Sequence, residues 1–176
     1  MGRAMDSTEF AALIRRHAAL IHKIAYAYCR DATDREDLVQ EIAVQLWRSR
    51  ERYDPRYRHT TWIYRIALNV AISCFRRERR HVERRSPIDE HAIAVAAVSP
   101  SEDARRLLRC IDELGALDRA LVVLYLEGND HAEIAEVLGI SVSNVGTKLA
   151  RIKIRLRAAL EAQARADETQ ESHGAR

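Results

Sequence analysis

The residues best placed to act on a partner are cations. Between Asn144 and Leu160 the chain carries Lys148, Arg151, Lys153, Arg155 and Arg157 and no acidic residue. That arrangement suits holding a polyanion. Val145, Leu149, Ile152 and Leu156 recur through the same stretch at helical spacing, so the cations ride on an amphipathic helix. Upstream lies Asn129-Asp130-His131-Ala132-Glu133-Ile134-Ala135-Glu136-Val137-Leu138-Gly139-Ile140-Ser141. Asp130 and Glu133 form a capping box at its start. Ala135 stands where two helices touch closely, and Gly139 where the chain leaves the first helix with positive φ. A short helix, a Gly turn and a longer basic helix match a helix-turn-helix, whose second helix enters the DNA major groove. A helical hairpin with a solvated basic face has similar charges but does not require the Ala and Gly.

Other chemistry is poorly represented. Cys29, Cys74 and Cys110 are isolated within helical patterns, which favours buried thiols over zinc or redox sites. His17 and His131 have no ligand or triad pattern around them, and no nucleophile elbow or phosphate loop occurs. An enzyme is not expected, nor a cofactor or a metal.

The elements that must position these residues are helical. Hydrophobic residues make up 47% of the 176, Gly and Pro number 6 and 3, and aromatics are 6%. This composition supports a buried core and favours an all-α fold. Net charge is only +3, but Asp31, Asp34, Glu36, Asp37 and Glu41 make one stretch acidic, while Arg76, Arg77, Arg79, Arg80, Arg84 and Arg85 make another basic. Separate patches of opposite sign suggest several partners. No signal peptide is evident and no apolar run approaches the ~18 residues of a membrane span, so membrane insertion is not expected and a cytoplasmic location is.

The first half reads as three helices. The first begins near Ser7, with Phe10, Ile14, Ile21, Ile24 and Tyr28 inward, and ends at Cys29–Asp31. The second, capped by Thr33 and Glu36, carries Leu38, Ile42 and Leu46 and runs to about Arg52. After Asp54-Pro55 and a polar loop, Thr60 or Thr61 caps a third with Trp62, Ile63, Ile66, Val70 and Cys74 on its apolar side. Residues 81–99 read as a flexible linker, although Ala92 to Val98 also suits a short buried helix. Ser99-Pro100-Ser101-Glu102 opens the second half, where Leu107, Leu108, Ile111 and Leu114 precede a hydrophobic helix, Asp118 to Glu127, stopped by Gly128. The resulting organisation is two small helical domains, 7–80 and 100–160, with a disordered tail at 161–176.

With both halves in view the chain resembles the sigma-70 family of bacterial transcription initiation factors, specifically its compact extracytoplasmic-function (ECF) group. Asp34-Arg35-Glu36-Asp37-Leu38-Val39-Gln40-Glu41 through Trp47, followed by Thr61-Trp62-Ile63-Tyr64-Arg65-Ile66-Ala67-Leu68-Asn69-Val70-Ala71, resembles the promoter-melting domain, region 2. Leu114 to Leu160 resembles the helix-turn-helix domain, region 4. The resemblance implies that Asp37, Leu38, Gln40, Glu41 and Trp47 dock on core RNA polymerase. It implies that Arg65, Asn69, Ser73, Arg76, Arg77 and Arg80 read and hold the minus-10 element, with Tyr53, Tyr57, His59 and Trp62 beside a pocket for an unstacked base. Ser143, Asn144, Thr147, Lys148, Arg151 and Arg155 would meet the minus-35 element.

The match has departures. Asn144-Val145-Gly146-Thr147-Lys148 stands where Thr-Val-Lys-Ser-Arg is usual. Gly146 costs about 1 kcal/mol of helix propensity, and Lys148 lacks the planar fork that Arg offers guanine. Ser73 replaces a common acidic residue and Gly115 a common Pro. The implied function is a sigma factor that binds core polymerase, recognises promoter DNA and is held inactive by an anti-sigma factor. The alternative is a helix-turn-helix regulator that acts without polymerase. Nineteen linker residues span roughly 60 Å at about 3.3 Å each, enough for two domains to sit on separate turns of one duplex.

Overall fold

The computed structural model describes residues 5–82, 110–111 and 113–174. Among these it is all-helical. In the first half α1 (Ser7–Arg16), α2 (Ala18–Tyr28) and α3 (Ala32–Ser49) lead through a short 3₁₀ turn, Arg50–Arg52, to α4 (His59–Val82). The second half contains α5 (Ala116–Leu126), α6 (His131–Leu138) and α7 (Val142–Gly174).

Three expectations for the first half need correction. The single helix from Ser7 is two helices, broken at His17 (φ −108°, ψ 14°), which lets α1 fold its Leu13 and Phe10 back onto the core. The cap of α3 is Asp31, whose carboxylate accepts from the Thr33 and Asp34 amides at 2.7 and 3.3 Å; Thr33 lies inside the helix. An Asp immediately before the first turn reaches the same orphan amides that a Thr33–Glu36 box would take, and it gets there first. Helix α4 begins at His59, so Thr60 and Thr61 lie within its first turn.

The buried stripe of α4 is also rotated from the expected one. Ile63, Tyr64, Ala67, Leu68 and Ala71 are buried, whereas Trp62, Ile66, Val70 and Cys74 are only partly covered. The two alanines explain the choice, because small side chains let α4 lie close against α2 and α3 and bury Ile21, Ile24, Leu38, Ile42 and Leu46. Each such aliphatic contributes roughly 1.5–3 kcal/mol on burial.

In the second half the local signals hold. Asp130 and Glu133 form the capping box, and Gly139 ends α6 at φ +66°. Ile134, Ala135, Val145, Leu149 and Ile152 are buried, joined by Ala120, Leu121 and Leu124 of α5. Residues 161–174, expected to be disordered, continue α7 as helix; Ala, Glu, Gln and Arg predominate there, all good helix formers. The expected linker starts inside α4. From residue 83 onward it lies outside the described residues, together with the Ser99–Glu102 cap and Leu107 and Leu108.

The halves are not spatially separate. One buried cluster runs from α2–α4 into α5–α7, with α4 packed on α5 and α6 and α2 on α5. At the seam the Tyr28 hydroxyl donates to the Ala116 carbonyl at 2.7 Å. Arg119, 3% exposed, donates to the Ala27 carbonyl at 2.7 Å, with its guanidinium 4.7 Å from the Phe75 ring centre and 5.6 Å from that of Tyr28. Removing a guanidinium from water is costly, and here a carbonyl and two ring faces replace part of its hydration.

Candidate nucleic-acid interface

Helix α3 presents Asp37, Gln40 and Glu41 to solvent, with Val44 and Trp47 exposed at 42% and 37% on the same side. The Trp47 ring meets Phe10 edge-on at 5.1 Å and lies under the Arg50 guanidinium at 3.7 Å. Leu38 departs from its implied role. At 3% exposure it packs into the core and offers only an edge to the groove beside α3. Val44, an apolar residue among polar neighbours on an acidic helix, shares this exposed side and was not singled out from the sequence.

Between α3 and α4 lies an open groove of about 960 Å³. Asp34, Asp37, Glu41 and Gln45 line one wall, Asn69, Ser73, Arg77 and Glu78 the other, with Leu38, Ile66 and Val70 contributing apolar surface. Asp37, Leu38 and Glu41 of the residues implied for polymerase docking therefore share one groove with Asn69, Ser73 and Arg77 of those implied for minus-10 reading, and it is predominantly acidic; Gln40 and Trp47 lie outside it. Cys29 and Cys74 also border it. Burial, then the nearby Glu78 and Asp34 carboxylates, push the Cys29 thiol up to about 11, so it is not a thiolate nucleophile near neutral pH. No three His, Cys, Asp or Glu among the described residues are placed to hold a metal ion.

The stripe expected on α4 divides. Asn69, Ser73 and Arg77 are exposed along the groove, whereas Arg65 and Arg76 turn toward the second half. Arg65 donates from Nε and Nη2 to the Glu136 carbonyl of α6 at 3.1 and 2.8 Å, and Arg76 lines a cleft against Gly115–Asp118. The side chain of Arg80 lies outside the described residues. Ahead of α4 the aromatic residues do come together. Tyr53 stacks on His59 at 4.7 Å, meets Trp62 edge-on at 5.3 Å, and donates its hydroxyl to the Tyr57 carbonyl at 2.7 Å. Arg65 spans from this cluster, lying 4.8 Å over the Tyr57 ring, to the helix-turn-helix.

On α7, Ser143, Asn144, Thr147, Arg151 and Arg155 are exposed. Their amphipathic helix is set by the tight turn at Gly139 and anchored by Val145. Ser141 Oγ accepts from the Asn144 amide at 3.2 Å, satisfying one orphan donor of the first turn. Lys148 is only partly exposed and leans toward Asp118 of α5. The profile of sigma-70 region 2 matches residues 13–81 and that of sigma-70 region 4 matches residues 104–156.

The chain belongs to the sigma-70 family.

Its similarities to individual sigma-70 proteins are moderate and extend over most of the sequence. It is 30% identical over 152 residues to the ECF RNA polymerase sigma factor SigE of Mycolicibacterium smegmatis, an alignment spanning 82% of this chain and 59% of that protein. It is 29% identical over 166 residues to the RNA polymerase sigma factor CnrH of Cupriavidus metallidurans, spanning 87% of each. Among solved structures, CnrH bound to the cytosolic domain of CnrY has a TM-score of 0.64 at 25% identity, covering 89% of this chain and 90% of that one. The fold is also that of the sigma factor RpoE from Bartonella quintana, solved with the anti-sigma factor NepR (TM-score 0.73, 19% identity, 87% and 97% coverage). These likenesses take in both halves of this sigma-70 chain. The seam joining them includes Arg119, which sequence reasoning overlooked; an Arg beside Asp118 in an otherwise apolar helix hints at burial but not at its partners.

Proposed function

We propose that this chain is a dissociable specificity subunit that binds core RNA polymerase and directs it to promoters of its own class. Asp37, Gln40, Glu41, Val44 and Trp47 of α3 meet a basic or amphipathic polymerase helix. Asn69, Ser73, Arg77 and the Tyr53–His59–Trp62 cluster engage the strand that separates at the minus-10 element. The outer face of α7 reads the minus-35 duplex. The protein makes and breaks no bonds itself and acts in the cytoplasm, where polymerase and promoter are. The observation that carries this reading is the pairing, in family order, of an acidic helical groove with a helix-turn-helix whose turn closes at Gly139.

The packed arrangement is the resting form of this subunit. Arg65 commits two of its five N–H donors to the Glu136 carbonyl and is held toward the second half, so turning it to a phosphate at the minus-10 element requires the seam to part. An anti-sigma protein would act by favouring the packed form; RpoE was solved in complex with the anti-sigma factor NepR, and CnrH with the cytosolic domain of CnrY. The test is transcription by core polymerase with the purified chain on a randomised promoter library. Enrichment of one promoter class and stoichiometric co-elution with core are expected. A folded chain that neither co-elutes nor initiates anywhere would leave a helix-turn-helix regulator working without polymerase.

A further inference from the structure

Two cations of α7 lie within reach of a single carboxylate on α5, Lys148 partly covered and Arg155 with 60% of its side chain exposed. Asp118, in the first turn of α5, places its carboxylate oxygens 3.8 Å from Lys148 Nζ and 3.8 Å from Arg155 Nη1. Its side chain is 27% exposed and Lys148's 33%, so the Lys148 pair is partly sheltered from screening. Lys148 and Arg155 lie seven residues apart, two turns along one flank of α7 beside the buried stripe of Val145, Leu149 and Ile152. On the opposite flank Lys153 donates to the Tyr125 hydroxyl at 2.9 Å and lies 4.1 Å from its ring centre, so α5 engages cations on both sides. Ser143, Asn144, Thr147 and Arg151, exposed on the same helix, make a set rich in groups that can read base edges.

We propose that Asp118 is a positioning residue for promoter recognition, holding Lys148 and Arg155 on the flank of α7 so that sequence-blind attraction to phosphates is limited and base-reading groups lead the contact. The proposal rests on α7 being the duplex-reading helix, but both partners of the pairs lie in the second half, so it does not depend on how the halves pack. A cation engaged by a carboxylate must leave it before it can neutralise a phosphate, whereas a released one adds its full share to the salt dependence, about 0.9 in the log–log slope per phosphate neutralised.

The test uses the full-length chain alone on a 20-base-pair duplex of arbitrary sequence, titrated by gel shift over a range of salt. Asp118→Asn is expected to bind several-fold more tightly and to steepen the salt slope by about 1 to 2, while Asp118→Glu keeps the original slope. The gain should vanish when Lys148→Gln and Arg155→Gln are added. Persistence of the gain in that triple variant would mean that removing any negative charge suffices, and would overturn the proposal. So would unchanged binding by a folded Asp118→Asn. If Asp118→Asn does not fold, the pairs can be judged in the parent chain. Lys148→Gln should then weaken binding less than Arg151→Gln, and equal losses would overturn the proposal. In complex with core polymerase, Asp118→Asn should also lower the ratio of selected to scrambled promoter binding. A chain that showed the duplex effects but never initiated would keep this assignment and lose the initiation reading.

Discussion

The α3–α4 groove and the outer face of α7 are electrostatic opposites. The groove sets Asp34, Asp37, Glu41 and Glu78 around Arg77, whereas α7 has no carboxylate from its start to Leu160. A polyanion approaching alone is attracted to α7 and repelled from the groove. The groove instead attracts a basic protein surface, and Arg65, which could turn the first half toward DNA, is engaged across the seam. On the proposed function, the second half would carry duplex affinity of its own, while the first would acquire it only in company. On the same proposal, the asymmetry would give a physical reason for a two-part reader: selection of DNA by the first half would be deferred until polymerase is present.

The largest expected effect tests whether the halves can fail separately. Leu149, 3% exposed beneath α7, supports only the second half, and Leu149→Ala should destabilise by about 2–5 kcal/mol. Hydrogen exchange should then lose protection in α6 and α7 before α2–α4; equal loss throughout would make the shared core a single cooperative unit. Next comes a pair of charge changes. Glu41→Lys should weaken binding to core polymerase about tenfold or more, roughly 1.4 kcal/mol, with arbitrary duplex binding undiminished. Arg151→Ala should do the reverse, and a variant that weakened both would erase the distinction.

Gly146→Ala should stabilise α7 by up to about 1 kcal/mol, because a Cβ there meets only the His131 ring, at 3.7 and 3.8 Å, which is ordinary contact. A rise in thermal midpoint with weaker minus-35 discrimination would show that the glycine serves DNA fit. Smallest is a pH effect confined to the first half. Burial, then the neighbouring His59 and Arg16, lower the His17 pKa below 6.5. The native chain thus binds this proton less readily than the unfolded one, so stability is full above pH 6.5 and declines as pH falls below it. His17→Gln should lessen that acid-side decline in melts compared at pH 7.5 and 5.5, and an identical decline would locate the sensitivity elsewhere.

The second half was the more legible in sequence. Its capping box, its αL glycine and its apolar stripe are local signals, each set by residues within a few positions of one another. The first half depended on competition among similar signals. Asp31 and Thr33 could both cap α3, and the tertiary fit of Ala67 and Ala71 against neighbouring helices, which periodicity does not register, decided which face of α4 is buried. Leu38 had the right neighbours for docking but is covered by the core, at the floor of the groove. The role of Arg119 was out of reach, since nothing local tells that Tyr28, Phe75 and the Ala27 carbonyl, from more than 40 positions upstream, will surround it.

Trp47 and Trp62 are the only indoles in the chain, and both belong to the first half. Intrinsic emission excited at the red edge is therefore a one-sided reporter, blind to the helix-turn-helix. Because the Arg50 guanidinium lies directly over Trp47, any ligand that slides between them changes that ring's quenching, giving an optical signal for engagement of α3 without attaching a dye.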